Sequence, residues 1–320
     1  MKKLLLASAV AALSISAQAA PQVYGKAFLT LDLQDGNNVA KEAGLDTRTQ
    51  LNSNASRIGF KGAEALTANT NLIYQLEYRV EVDDNTRTFE ARDSYLGLSN
   101  EQYGTLLAGR LTAIDGMVDY ANVTEGGVVG GDNVLASFDA PRANNAFAYV
   151  SPSYNGLNFL GMYVLDENNS TDSLGRDAWG VGAQYEPNGA AYRAGATYIQ
   201  AGNFKATRVS GAYDLTDATT IGALYQNTQF GGDLKKENAF TVSATQKLAQ
   251  TPWTAYGQLD FVDNAAGIKD DEVFRVAAGG KYAFNKATTG HIYGAYLTNK
   301  GEGVETAKAY GIGTGIEYKF

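Results

Sequence analysis

From Arg110 to Arg142 the sequence holds no Lys or Arg for 31 residues, yet it carries Asp115, Asp119, Glu125, Asp132 and Asp139. The same stretch contains GGVVGG (Gly126 to Gly131), which lets a backbone bend tightly. Carboxylates become catalytic only beside a nucleophile, a base and an orienting group. His291 is the single histidine, lies in the aromatic run HIYGAY, and has no such partner beside it in sequence. There is no cysteine, so disulfides and thiolate metal sites are excluded. GGVVGG lacks the Lys-Ser/Thr of a phosphate loop, and the acids lack the ordered spacing of a calcium loop. No cofactor, metal or nucleic-acid partner is expected. The chemistry on offer is electrostatic: a long acidic connection that needs basic groups to face.

Those basic groups lie on alternating segments. In NLIYQLEYRVEV, Leu72, Tyr74, Leu76, Tyr78, Val80 and Val82 share one face. Ile73, Gln75, Glu77, Arg79 and Glu81 share the other, which suits a wet surface. Arg79 is thereby assigned to the polar face, and Arg57 follows from its neighbours Ile58 and Phe60. An arginine on a lipid face would cost roughly 2–4 kcal/mol near the bilayer midplane.

The start of the chain sets its compartment. Lys2 and Lys3 precede the apolar run LLLASAVAALSIS, and Ala17-Gln18-Ala19 gives a small-x-small cleavage pattern. Residues 1–19 read as an export signal, with cleavage between Ala19 and Ala20. Cleavage removes two lysines and takes the net charge from −8 to −10. The rest contains no apolar run long enough for a transmembrane helix.

Composition favours strands, with 36 Gly, 20 Tyr and 13 Phe against 5 Pro. Sixteen alternating segments are expected, beginning near Gln22, Thr47, Thr70, Thr88, Tyr103, Asn144, Leu157, Arg176, Ala190, Phe204, Thr219, Glu237, Pro252, Glu272, Thr289 and Thr306. Tight junctions such as Asn155-Gly156 alternate with longer ones near 34–46, 113–143, 166–175 and 263–271. A soluble β-sandwich alternates too, but spreads its aromatics through a core. In YGIGTGIEYKF, Tyr310, Tyr318 and Phe320 instead bracket a Thr/Ile centre on one face, while Gly311, Gly313, Gly315, Glu317 and Lys319 take the other. Aromatics at strand ends, an even strand number and segments near ten residues describe an all-β, antiparallel transmembrane barrel of about 16 strands. Residues 20–320 form its single domain, and the last strand ends without a tail because it closes the barrel.

Several stretches resemble the general diffusion porins of Gram-negative outer membranes, particularly the sixteen-stranded trimeric kind. They are VYGKAFLTLDL, SRIGFKGAE (Ser56 to Glu64), RDSYLGLSNEQYGTLLAGR (Arg92 to Arg110), YVSPSYNGLNF (Tyr149 to Phe159) and the closing strand. Between about 160 and 305 the match is one of rhythm. The acidic signature usual after the fifth strand's Gly-Arg is not clearly present. The resemblance implies that the long connection after the fifth segment folds into the barrel, and that its acids face an arginine wall of Arg57, Arg79, Arg92, Arg110 and Arg142. Arg92, Arg110 and Arg142 join that wall on the family pattern. It further implies a homotrimer in outer-membrane lipid, and a terminal Tyr318/Phe320 signal for the barrel-assembly machinery.

The function expected is a passive channel for ions and small hydrophilic solutes. A channel specific for a sugar, phosphate or peptide is the alternative. A barrel enzyme is disfavoured by a single histidine with no nucleophile placed beside it, and a soluble glycan-binding β-protein by the export signal and the aromatics at strand ends. The arginines could also pair with neighbouring carboxylates simply to hold the wall. Net charge and the acidic connection lean toward cations, the arginine row toward anions, and the expectation is a weak cation preference.

Overall fold

The computed structural model describes residues 21–85, 88–129, 131, 133–167 and 177–320. Ala19, Ala20 and Asp132 lie outside the described residues. Seventeen strands are described: β1 (Gln22–Gly36), β2 (Arg48–Ser53), β3 (Arg57–Thr67), β4 (Thr70–Val80), β5 (Thr88–Asn100), β6 (Gly104–Thr112), β7 (Arg142–Val150), β8 (Leu157–Val164), β9 (Ala178–Tyr185), β10 (Tyr192–Ala201), β11 (Phe204–Asp214), β12 (Thr219–Gln229), β13 (Lys236–Lys247), β14 (Trp253–Asp263), β15 (Glu272–Ala283), β16 (Thr288–Lys300) and β17 (Ala307–Lys319). The pairing is antiparallel throughout and closes by β1 against β17, Lys26 opposite Lys319 through Gly36 opposite Ala309. A five-residue helix, α1 (Asn38–Glu42), is capped by the Asn37 side chain.

Seventeen strands make sixteen wall positions. β2 pairs with Leu29–Gln34 of β1, and β3 with Gln22–Lys26, so the two stand end to end in one position. At the break, Ala55 takes φ 50°. The ladder is nevertheless continuous, because Phe28 N–H donates to Ser56 Oγ at 2.9 Å and Asn54 N–H to Phe28 O at 2.8 Å. Fifteen of the sixteen expected starts fall within two residues of a strand, and the other, Arg176, lies outside the described residues. The break itself was not anticipated, because polar residues occupy both parities from Asn52 to Ser56.

Burial alternates as the sequence requires. On β17, Tyr310, Ile312, Ile316 and Tyr318 are exposed, while Gly311 and Gly313 are buried. The outward apolar face is far larger than a soluble monomer leaves bare, and register sorts its aromatics into belts. Tyr225, Phe240, Phe261 and Phe274 stand directly opposite one another on β12 to β15. Trp253 faces Tyr282 at the other end of the same wall. Phe261 and Trp253 are eight residues apart on β14, about 27 Å along the strand at ~3.4 Å per residue. At a tilt of ~40° that is about 20 Å of depth, suited to a hydrocarbon layer.

The seam depends on one small residue. Gly25 and Phe320 exchange backbone hydrogen bonds of 2.9 and 3.2 Å. A Cβ on Gly25 would stand 2.3 Å from the Phe320 ring, so the terminal aromatic covers a position that only glycine leaves open. Gly25→Val is expected to displace that ring and lower the fraction of barrel that resists unfolding in cold detergent. Gly257→Ala, whose added carbon meets nothing nearer than 3.9 Å, is expected to leave it unchanged. Equal behaviour of the two variants on unheated gels would refute the account.

Candidate functional site

The five arginines occupy consecutive strands, and three of them, Arg57, Arg92 and Arg142, reach two buried carboxylates, Glu77 and Asp93. Glu77, buried on β4, takes Arg92 Nε at 2.6 Å, Arg57 Nε at 3.4 Å and the Tyr24 hydroxyl at 3.0 Å. Asp93 takes Arg142 Nε at 3.1 Å and the Thr112 hydroxyl at 2.8 Å. Arg79 pairs with Glu81. Arg110 has no acidic partner among the described residues; it donates to Ala91 O at 3.0 Å and Asn144 Oδ1 at 2.5 Å. Of the five guanidinium groups, only that of Arg110 is held by neutral oxygens alone among the described residues. The Arg79 and Arg142 side chains keep 34 % and 26 % of their surface exposed. A β-bulge on β5 beside Leu76 to Tyr78 lets both Arg92 and Asp93 reach these partners.

The acidic connection spans 113–141 and begins with a single 3₁₀ turn, Ile114–Val118. Ile114 and Val118 pack with Ile73, Leu107, Leu111 and Ile199 in one apolar cluster. Beyond it, Asp115 and Asp139 meet at one guanidinium. Arg208 Nη2 lies 2.8 Å from Asp139 and 3.5 Å from Asp115, donates to Phe138 O at 3.3 Å, and its Nη1 reaches Asp115 O at 3.3 Å. Both ends of the connection are thus held by one side chain of β11. Glu125 pairs with Lys281 at 2.9 Å. Asp119 accepts the N–H groups of Ala121 and Asn122, which makes a local turn.

A second buried arginine holds the middle of the connection. Arg275 lies 2.8 Å from Asp260 and donates to Gly131 O at 3.2 Å and to Asn133 O. Asp260 is satisfied in turn by Thr241 and Gln258. Small wall residues allow the approach: a Cβ on Gly222 would lie 2.5 Å from Tyr120 O, and one on Gly311 3.0 Å from Val128.

Sequence reasoning named the acids but missed Arg208, Arg275 and Lys281. Parity could have found them. Val209 and Tyr213 take the outward face of β11, and Phe274 and Val276 that of β15, leaving the basic residues inward.

Removing the guanidinium from beside two buried carboxylates is costly, about 3–5 kcal/mol for a broken buried pair. Arg208→Met is expected to expose 113–141 to protease while leaving the wall intact; protection equal to wild type would contradict this. Burial pushes Asp139 up to about 6, against the pull of Arg208. Asp115 shifts the same way, with burial again the larger cause. The docked connection therefore holds protons that a free one would release. That contribution is complete below about pH 4 and is lost as pH rises through about 6. Hydrogen exchange, corrected for intrinsic rate, should show residues 137–141 better protected at pH 5 than at pH 7; the reverse order would overturn it.

A closed sixteen-position barrel with an apolar outside and charged residues on the other face has counterparts among known proteins. The family model described as Gram-negative porin matches residues 6–302. The major outer membrane protein P.IB of Neisseria meningitidis serogroup B is 26% identical over the whole of both chains, and that of Neisseria lactamica is 27% identical over the same share. The anion-selective porin from Comamonas acidovorans superposes with a TM-score of 0.77 at 22% identity, covering 95% of this chain and 100% of that one. Salmonella typhi OmpF in complex with daunomycin gives 0.70 at 19% identity, covering 94% and 97%. The chain belongs to the Gram-negative porin family, and it is a diffusion channel of the outer membrane rather than an enzyme.

Proposed function

We propose that the 113–141 connection narrows the pore against the wall of Arg57, Arg79, Arg92, Arg110 and Arg142, and that the channel weakly prefers anions. The observation that carries this is that Asp115 and Glu125 are more closely covered than Arg79 and Arg142. Asp115 and Glu125 keep 2% and 7% of their side-chain surface and are closed against Arg208 and Lys281. Arg79 and Arg142 keep 34% and 26% of their side-chain surface beside water, and Arg110 is held by neutral oxygens. Charges neutralised in a buried pair contribute little to the potential in the lumen, whereas exposed ones set it. Burial therefore reverses the cation preference that net charge suggests. The Comamonas acidovorans porin, described as anion-selective, shares the fold.

The same reading places the chain in a trimer, a state in which Vibrio cholerae OmpT, another match in fold, is also described. The wall position of β2 and β3 is the favoured subunit face. There Ser53 N–H donates to an Asp83 carboxylate oxygen at 3.1 Å, a polar arrangement poorly suited to lipid. Cleavage between Ala19 and Ala20, and reading of Tyr318 and Phe320 by the assembly machinery, belong to this proposal too. Both aromatics stand exposed and stacked at 6.1 Å.

In planar bilayers under a KCl gradient, the unheated protein should give ohmic steps in groups of three. The sign of its reversal potential should show chloride carrying more current than potassium. Arg110→Gln and Arg79→Gln should each shift the permeability ratio toward potassium by roughly fivefold, as one charge ~8 Å away through water acts on the two ions in opposite senses. Potassium-dominated current in the wild type would sink the anion reading. Steps unchanged in both variants would remove the arginine wall from the constriction.

A further inference from the structure

The outward face of β11 to β15 carries an arrangement that conduction does not use. Register aligns its side chains in rows two residues apart. The first row, at the end bearing the long connections, is Lys205, Gln229 and Lys236. The second is Thr207, Asn227 and Asn238, with the Asn227 amide donating to Asn238 Oδ1 at 2.9 Å. The third is the aromatic belt of Tyr225, Phe240 and Phe261.

Below the belt lies a recess of about 850 Å³, lined outward by Gly211, Ala223, Ala244, Gly257 and Ala278 and edged by Leu259. It opens to the outside of the barrel. Tyr120 and Ala121 of the acidic connection touch the inner side of Gly222, yet no residue of that connection lines the recess.

Neither Lys205 nor Lys236 is in an ion pair among the described residues. Nearby acids are engaged elsewhere: Asp263 accepts from Asn264 at 2.8 Å, and Glu272 pairs with Lys300 at 3.2 Å. The exposed Asp233 lies in the neighbouring 230–235 connection. The two lysines are two strand spacings apart, about 10 Å between backbones, and their flexible stems can converge on one anion. From Lys236 to Ala244 is eight residues, about 20 Å of depth at a tilt of ~40°. One leaflet with its headgroups is also about 20 Å.

Cation, amide, aromatic and apolar recess follow one another in the order of phosphate, interfacial carbonyl and acyl chain in a lipid. We infer that this face binds one phosphate-bearing lipid, its phosphate between Lys205 and Lys236 and its acyl chains in the recess below. A second copy of the chain is the weaker occupant, since β12 lies about half the circumference from the subunit face at β2 and β3. A subunit contact also has no need of two unpaired lysines above a belt.

Native mass spectrometry tests this on the full protein in mild detergent, titrated with phosphatidylglycerol or phosphatidylcholine of identical chains. The wild type should retain the anionic lipid preferentially. Lys205→Gln with Lys236→Gln should lower that preference by up to about twentyfold, roughly fivefold for each lysine near the surface. Ala244→Phe with Gly257→Leu should reduce retention of both lipids, and Lys300→Gln should change neither. Single-channel conductance verifies that each variant is folded. Equal retention of the two lipids by the wild type, or an undiminished preference in the double lysine variant, would overturn the inference. Dissociation of oligomers on filling the recess would also overturn it, by assigning the face to a subunit contact.

Discussion

Inside a bilayer no water is available to an unpaired N–H or C=O, and each one left open costs several kcal/mol. The closed ladder is the answer to that constraint, and everything else in the molecule is built on it. Closure by β1 against β17 brings the chain's last residue beside Gly25. It also explains the care taken at the one interruption of the wall. Where β2 ends and β3 has not begun, the Ser56 hydroxyl stands in for a backbone acceptor and Asn54 supplies a donor. The strand can break there without an orphan on β1, because a side chain completes the ladder.

Once closed, the wall has an interior that must be filled or wetted, and described residues of the 113–141 connection pack against its inward side chains. Its start packs apolar residues against Leu107, Leu111 and Ile199. Farther along, its carbonyls and carboxylates take up the guanidinium groups of Arg208 and Arg275. Buried arginines of this kind would be a liability alone. Here each has a carboxylate and several oxygens, and Nε, Nη1 and Nη2 of both are engaged by the connection and its neighbours. The partners differ along the way: Asp139 is closed against Arg208, whereas Arg110 is held by neutral oxygens.

How legible this was depends on the kind of information each feature uses. Strand positions were readable because lipid on one side and water on the other impose a period of two on every segment, and Arg79 and Arg57 could be assigned from their neighbours alone. The break at Asn54 to Ser56 was hidden, since polar residues at both parities look the same whether a strand ends or faces a partner. Loop acids stood out by composition, but Asp115 and Asp119 look alike in sequence. Only the fold brings Asp115 to Arg208 and turns Asp119 back on its own backbone. Arg208 and Arg275 were within reach of parity, and were passed over because the basic wall was sought on early strands.

Parity has a further consequence. Every strand carries two independent messages, one read by lipid and one by the lumen, on alternate residues of the same backbone. Arg208 anchors the connection from inside, while its neighbours Thr207 and Val209 belong to the outward rows that end in Lys205. Ser210 accepts Tyr120 N–H on the inside at 2.9 Å, and Gly211 next to it forms part of the outward recess. The two faces can vary separately so long as neither shifts the register, because a one-residue slip would exchange them completely. Register is therefore the quantity the fold must protect. The cross-strand aromatic rows help to do so, since Tyr225 packs on Phe240 at 4.9 Å only in the native alignment. The belts that set the barrel's depth in the membrane thus also keep Arg208 and Arg275 off the lipid face.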